Sequence, residues 1–313
     1  MKKFSSAVIL FFIISSISTN AQSQSTYDFL RLDTSPRAAA LAGSFVANSD
    51  DPNVIFYNPA GISKLEGSPI SFSFLKHIVD INSASLSYSK EIEYLGRFGA
   101  GVQYINYGDF TEADEYGNKL GEFSASEMAF LLGYSNKLDE NFFYGANVKF
   151  IYSSIADASS TGIAVDLGLQ YHFPESGWYF GFSALNLGTQ LTSYFDVDED
   201  LPTDVQFGLR KELARVPLKF YFAFKKLNEK EDDFGDRFKH FTFGGELRLS
   251  KAVNVRLGFD NQKRKDLKIG TSAGIAGISL GLGILISDYK FDYAFSSLGN
   301  IGSLHRIGIS TDL

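Results

Sequence analysis

Few residue groups in this chain have the types and spacing for covalent chemistry. Its four histidines, His77, His172, His240 and His305, fall on widely separated segments, and there is no cysteine. A metal site needs a second ligand at short, fixed spacing, and none of the four has one. Neither a Gly-x-Ser-x-Gly elbow nor a His-Glu-x-x-His pair occurs, so two hydrolase signatures are missing. Without thiols there is no disulfide framework, no Cys nucleophile and no lipid-modified Cys at a cleavage site. Carboxylates come in runs, "DVDED" and "EKEDD". A solvated loop is the first reading of both, with calcium binding or a partner contact as the alternative. The Gly-rich "GTSAGIAGISLGLG" has no Lys-Ser/Thr after it and sits in a period-2 setting. It reads as a strand in which glycine relieves crowding, not as a phosphate loop. No enzyme activity, cofactor or metal is expected. The net charge of −7 offers no basic patch for nucleic acid.

The sharpest local motif is structural. In "VIFYNPAGISK", residues 54–64, Asn58, Pro59, Ala60 and Gly61 have turn chemistry. Asn suits the first turn position, Pro pre-sets φ at the next, and Gly accepts the conformation needed to leave. Four apolar or aromatic residues, Val54, Ile55, Phe56 and Tyr57, run straight into it, which an exposed loop tip would not carry. The turn either docks its segment against a wall or stands beside a ligand or gate. Close by, Arg37 and the Asp50-Asp51 pair are candidates for ion pairs between this segment and the rest of the chain. Buried charges need partners, so pairing is preferred to a catalytic role.

The elements that would position these residues are strands. Aromatics make up 15% of the 313 residues, with 30 Phe, 16 Tyr, 29 Gly and only 7 Pro, a composition that favours sheet over helix. From Ser68 onward the chain alternates with period 2. In "TGIAVDLGLQYHF" the residues Ile163, Val165, Leu167, Leu169 and Tyr171 oppose Ala164, Asp166, Gly168, Gln170 and His172. "PLKFYFAFKK", "HFTFGGELRL", "VNVRLGFD" and "YKFDYAFS" repeat the arrangement. About fourteen segments of this kind are expected, on average about the length of a tilted spanning strand. Long polar connections such as "GDFTEADEYGNKLGEF", "SIADASS", "GTQLTSYFDVDED", "NEKEDDFGD" and "QKRKD" alternate with tight ones such as "PESG", "ARV", "KAV" and "SD".

That alternation predicts an all-β fold, a transmembrane antiparallel β-barrel of about fourteen strands with an N-terminal plug segment. Its apolar faces would meet lipid. Lys149, Asp166, Arg210, Lys219, Lys225, Glu246, Arg248, Arg256 and Asp292 would face the lumen. "MKKFSSAVILFFIISSISTNAQSQS" has a basic start, a short apolar core and a polar small-residue stretch, the layout of an export signal. The expected organisation is 1–21 signal peptide, 22–67 plug and 68–313 barrel, placed in the outer membrane with its lipid as a partner. Within the plug, "SPRAAALAGSFVANSDDP" reads as a helix of small residues, capped by Ser35, with Pro36 at its first position and a break at Asp50-Asp51-Pro52.

"YDFLRLDTSPRAAALAGSFVANSDDPNVIFYNPAGI" resembles the N-terminal signature of the PorV/PorQ family of the Bacteroidetes type IX secretion system. "YINYGDFTEADEYGNKLGEFSASE", "YGANVKFIYSS", "LNLGTQL" and "LPTDVQFGL" are more similar to its PorQ branch, and "FDYAFSSLGNIGSLHRIGIS" matches the family's last hairpin. The resemblance implies a fourteen-stranded barrel similar to long-chain fatty acid transporters, with a plug carrying an Asn-Pro-Ala turn. It also implies a non-enzymatic anchor in the cargo attachment complex, holding a PorZ-like surface protein beside PorU and PorV. The alternative is a transporter of hydrophobic small molecules such as long-chain fatty acids. If a partner docks from outside, the long loops carry the interface. Phe110, Glu112, Asp114, Glu115, Tyr116, Tyr194, Phe195, Asp196 and Asp198 combine aromatic anchors with an acidic surround.

Overall fold

The computed structural model describes residues 25–195, 197–229, 234–268 and 274–313. The signal-peptide expectation at 1–21 lies outside them. Fourteen strands form one closed antiparallel barrel. They are β1 (Pro69–Lys76), β2 (Asn82–Ile92), β3 (Gly96–Ala113), β4 (Lys119–Lys137), β5 (Phe142–Ile155), β6 (Ala158–Phe173) and β7 (Trp178–Thr192). The second half is β8 (Asp204–Glu212), β9 (Leu218–Phe224), β10 (Phe241–Arg248), β11 (Val253–Asp260), β12 (Ile278–Ile286), β13 (Tyr289–Ser297) and β14 (Ser303–Asp312). Each strand pairs with the next in sequence, and β1 pairs with β14 from Pro69↔Asp312 to Lys76↔His305, so the sheet has no free edge.

The alternation read from sequence is the alternation of facing, with the apolar side outward. On β6, Asp166 is fully buried while Leu167 beside it is 49% exposed, and on β4 Leu132 is 71% exposed. A barrel in water would invert this pattern. Phe72, Leu86, Phe130, Phe150, Leu257, Leu280 and Ile307 continue the apolar band around the outside, which is the facing a bilayer requires. Of the residues expected in the lumen, Lys149, Asp166, Arg210, Glu246 and Arg256 are buried there. Lys219, Lys225 and Asp292 are half-buried, and Arg248 is exposed at the barrel's rim.

Two expected loops are instead strand. "SIADASS" contains a two-residue turn, because β5 and β6 pair up to Ile155↔Ala158 and Ala156 takes φ 51 to close the hairpin. "GDFTEADEYGNKLGEF" is the upper half of a long hairpin, with β3 and β4 paired to Ala113↔Lys119 and only 114–118 left as the tip. Phe110 and Phe123 stack across it with centroids 5.2 Å apart. Beyond the apolar band both faces of a hairpin are wet, so the alternation that betrays a strand disappears and the composition looks like loop. In the reverse direction, the Gly-rich stretch read as strand is turn at 274–277 and becomes strand only at β12, and Asn261–Asp266, which holds the expected connection "QKRKD", is a short helix, α2. The Asp260 side chain caps α2 by accepting from the Lys263 N–H at 3.0 Å.

Residues 25–68 fill the barrel. The small-residue stretch is helical only over α1 (Pro36–Ala40), because Ala42 and Gly43 take φ 55 and φ 71 and turn the chain back. Three cap-proline pairs then repeat the same device. Ser35-Pro36 opens α1, Asp51-Pro52 opens a 3-10 helix at Pro52–Phe56, and Asn58-Pro59 opens another at Pro59–Lys64. In each, the cap side chain accepts a backbone N–H inside the turn that follows, and proline occupies the position whose own N–H would go unused. The apolar lead-in is the plug's core, where Val54, Ile55, Phe56 and Tyr57 pack with Leu41, Phe45, Ile62 and Leu65 against Leu131 and Tyr221 of the wall.

Glycines on the lumenal face let the plug backbone lie directly on the strands. A Cβ at Gly145 of β5 would stand 2.6 Å from the Pro59 carbonyl carbon, and one at Gly258 of β11 would stand 2.5 Å from the Ala42 nitrogen. Gly61 belongs to the same class. It is not in the left-handed region that leaving a turn would need, but a Cβ there would meet the Asn48 carbonyl and Val54 Cγ2 at 2.6 Å. Gly145→Val and Gly258→Val should therefore leave an assembled barrel but displace the plug. Gly245→Val, where nothing lies within 4 Å of the new Cβ, should leave the plug seated. Limited proteolysis of residues 25–68 in the purified barrel reads this out. Equal protection in all three variants would refute the close-approach account.

Candidate functional site: the plug in the barrel lumen

The plug is held at three levels. The deepest is an ion-pair network around Arg37 of α1. Its Nε donates to Glu246 Oε2 at 2.9 Å and its Nη2 to Glu246 Oε1 at 2.8 Å, a two-pronged contact with β10. Nη1 reaches Asp50 Oδ1 at 2.8 Å and Asp51 Oδ2 at 3.5 Å, and Nη2 also donates to the Tyr221 hydroxyl at 3.3 Å. From there the network spreads along the wall. Asp50 accepts from Lys219 at 2.8 Å, Glu246 accepts from Arg256 Nε at 2.6 Å, and Lys290 lies 3.6 Å from Asp51 and 3.4 Å from Asp292. Arg256 also pairs with Asp292, and Arg210 with Glu212 at 3.3 Å. Five cations thus meet five carboxylates, drawn from the plug and from β8, β9, β10, β11 and β13. This balance permits the burial of Arg37, Asp51, Arg210, Glu246 and Arg256, because a lone charge there would cost several kcal/mol, while Asp50 and Glu212 stay open to solvent at one side.

The second level is Asn58, which has no solvent exposure. Its Oδ1 accepts from the Ala60 N–H at 3.1 Å and caps the Pro59–Lys64 turn. Its Nδ2 faces the carbonyls of Val46 at 2.8 Å, Leu169 of β6 at 3.1 Å and Phe182 of β7 at 3.3 Å. Pro59 and Ala60 lie against Gly145 and Gly168. The motif joins plug to plug and plug to wall, and Asn58 makes no contact with the loop-end cavity described below.

The third level is a set of wall side chains that satisfy plug carbonyls. Asn147 of β5 donates to the Ile55 carbonyl at 2.9 Å and to Asp166 Oδ2 at 2.9 Å. Gln170 of β6 donates to Asn48 O at 2.7 Å, and Arg97 of β3 holds Leu65 O at 2.5 Å and Gly67 O at 3.0 Å. Asp166 is itself paired with Lys149 at 2.9 Å. Sequence reasoning placed the charged residues in the lumen and Gln170 on the same face of its strand, but gave neither amide a role in holding the plug. Their signal was available in the inward positions of "GANVKF" and "LGLQYHF", where Asn147 and Gln170 take places that glycine or a charge holds elsewhere.

Among the described residues, two spaces lie at the end of the barrel that carries the longer connections. Inside, between plug residues 30–34 and the wall, lies a cavity of about 270 Å³ bordered by Leu32, Thr34, Tyr57, Leu185, Gln206 and Lys225, among others. Outside it, a cleft of about 810 Å³ runs between the β3–β4 hairpin and Tyr194, Phe195 and Glu199. The structure brings Phe110, Tyr194 and Phe195 of the expected partner-binding set together in this cleft, with Tyr27, Tyr107, Phe123 and Ile155. Glu112 lies higher on β3, and Asp114, Glu115 and Tyr116 are at the hairpin tip, where Tyr116 is 82% exposed. Asp198 is exposed on the β7–β8 connection, and Asp196 lies outside the described residues. Asp114 is structural: its carboxylate accepts from Asn118 Nδ2, Asn118 N and Tyr116 N at 2.8–3.0 Å, which holds its pKa below the usual carboxylate range. Among the described residues no cluster of three His, Asp or Glu could hold a metal.

No known family's sequence profile matches the chain, and no curated protein does. Solved structures do match over nearly the whole barrel. The Pseudomonas putida toluene transporter TodX superposes with a TM-score of 0.58 at 12% identity, over 88% of this chain and 97% of that one. The Ralstonia pickettii toluene transporter TbuX gives 0.59 at 12% identity, over 88% and 96%. A Pseudomonas aeruginosa FadL homologue gives 0.57 at 10% identity, over 89% and 98%. The chain shares the barrel architecture of these channels, and at such identities the likeness is one of fold.

Two substitutions separate a docking motif from a gate. Asn58→Ala removes a buried cap and donor, and should loosen the plug by about 1–3 kcal/mol. Asn58→Asp keeps the cap but turns an acceptor toward three carbonyls, so it should loosen the plug more than alanine does. Arg37→Met strands buried carboxylates, with an expected loss of about 3–5 kcal/mol in plug docking. Denaturant-dependent protease cleavage of the plug, with the barrel still resistant to SDS, measures the order. An Asn58→Asp variant as tight as wild type would eliminate the docking account.

Proposed function

We propose that this chain is a non-enzymatic outer-membrane barrel that binds and passes hydrophobic small molecules, with the plug in its seated, closed arrangement. The observation that carries this reading is the continuity of apolar surface from outside to inside. Tyr27 lines the outer cleft and also belongs to the buried cluster of Phe29, Ile105, Ala129, Ile151, Ala164 and Leu201 within the barrel. An apolar molecule entering beside Phe110 and Phe123 meets the plug's own first turn, Asp28–Arg31, as the obstacle. The outward apolar band supports placement in a lipid bilayer, and the export signal read from sequence supports the outer membrane. The channel architecture shared with two toluene transporters and a FadL homologue supports a hydrophobic substrate class.

A second reading is favoured by a separate observation. The β3–β4 hairpin projects well past the apolar band, and its tip presents Tyr116 among Glu112, Asp114 and Glu115. An aromatic anchor in an acidic rim suits a protein partner with a basic patch. Together with the stretches similar to the PorV/PorQ family, this supports a surface anchor of the type IX secretion system, holding a PorZ-like protein beside PorU and PorV.

A mild-detergent pull-down of the tagged native protein separates the two. Bound hydrocarbon or fatty acid without a protein partner is expected for the channel, and a large co-purifying surface protein for the anchor. Recovery of neither would count against both. For the anchor alone, deletion of 110–122 and 192–200 should abolish surface retention of the partner while the barrel still inserts. Unchanged retention would sink it.

A further inference from the structure

We infer that the inner cavity above the plug is a binding site for a small, compact hydroxy- or amino-carboxylate with an apolar body. It is separate from the outer cleft, with no lining residue in common, and the inference stands whether or not hydrophobic molecules pass the barrel.

The cavity's polar groups are unevenly satisfied. Lys225 of the β9–β10 connection reaches into it with one hydrogen bond, from Nζ to the Ala42 carbonyl at 3.3 Å, and no carboxylate lies within ion-pair distance of that ammonium among the described contacts. The nearest acid, Asp33, is shared. Lys263 Nζ lies 3.8 Å from its carboxylate and 3.6 Å from that of Asp260, while Arg306 Nε donates to the Asp33 backbone carbonyl at 3.2 Å. The other carboxylates around the cavity already accept hydrogen bonds. Asp204 takes Gln206 Nε2 at 2.7 Å and the Lys226 N–H at 2.6 Å, Asp260 takes the Lys263 N–H, and Asp266 takes Gln262 Nε2 at 2.7 Å. Lys225 is thus the least engaged cation of the cavity, with Asp33 beyond ion-pair distance, and it is the one that can turn to an anionic group.

Two groups more than nine-tenths buried are also unspent. Gln206, 5% exposed, uses its amide nitrogen on Asp204, and its Oε1 has no partner. Thr34, 8% exposed, has an unpaired Oγ1. Both line the cavity. Buried polar atoms normally find partners, so the cavity presents an ammonium, a free acceptor and a free hydroxyl. The floor is apolar, from Leu32, Phe56, Tyr57 and Leu185. A ligand that answers all of these has a carboxylate for Lys225, an adjacent hydroxyl or amine donating to Gln206 Oε1, and a short apolar body. The volume of about 270 Å³ sits just under the roughly 300–1,000 Å³ range of drug-sized pockets, which suits a compact ligand better than a long acyl chain.

The test is calorimetric titration of the purified full chain in detergent, with mandelate as probe and methyl mandelate and dodecanoate as comparators. Mandelate should bind about ten-fold or more tightly than its ester, the scale of one charge-assisted hydrogen bond. Lys225→Met should bring mandelate to the level of the ester, and Gln206→Met should weaken both. Barrel assembly is followed by heat-modifiable gel migration. If Lys225→Met does not assemble, Gln206→Met and Thr34→Val carry the comparison. Equal affinity for mandelate and its ester, an undiminished Lys225→Met variant, or no binding of mandelate would each overturn the site. None of these readouts depends on which molecule or protein the pull-down recovers.

Discussion

The two-pronged contact between Arg37 and Glu246 makes the plug and the wall one body. Arg37 sits on a helix of only five residues, too short to be stable by its own hydrogen bonds. What orders it is the guanidinium fork, which matches a carboxylate on β10 in one orientation only. Once Arg37 is fixed, Asp50 and Asp51 follow, because both turn back toward it. Asp51 then caps the turn leading to Val54, Ile55 and Phe56. The order of the plug core is therefore inherited from a charge pair in the lumen. A balanced set of charges achieves this where an apolar contact would slide.

The wall is adapted to the plug by subtraction. Lumenal glycines remove side chains where the plug backbone passes, and Asn147, Gln170 and Arg97 supply donors where its carbonyls would otherwise be orphaned. Inside a bilayer a strand ladder can spare no backbone group. The plug, which is not part of that ladder, must have its polar atoms met by its own caps or by the wall's side chains. Both solutions are present, and Asn58 adds to its cap a reach in the other direction, from Nδ2 to the wall's own carbonyls at Leu169 and Phe182.

Much of this was legible in the sequence where one physical rule dominated. Strand positions and facing could be read because lipid outside and a polar lumen inside force a period of 2. Asp166 and Leu167 wear that rule openly. The hairpin beyond Asn106 was hidden because its two faces meet the same solvent, so Phe110 and Phe123 looked like isolated aromatics in a loop. Arg37, Asp50 and Asp51 could be recognised as charges in need of partners, but not which wall residue each would meet. That depends on the rotation of the plug in the barrel, a long-range quantity with no periodic trace. Gly61 was misread for a related reason. Its local turn context suggested a conformational role, while its actual constraint is the approach of Asn48 and Val54 from elsewhere in the plug.

The three cap-proline pairs also bear on how such a barrel can be assembled. A closing barrel has, until its last moment, two exposed strand edges, here β1 and β14. Any extended segment tethered to β1 is a competitor for them. Pro36, Pro52 and Pro59 have no N–H to offer a ladder, and each capped turn has already folded its backbone donors inward. The segment attached to β1 is thereby unable to be taken up as an extra strand. It can remain inside the growing sheet as cargo while the seam between β1 and β14 closes around it.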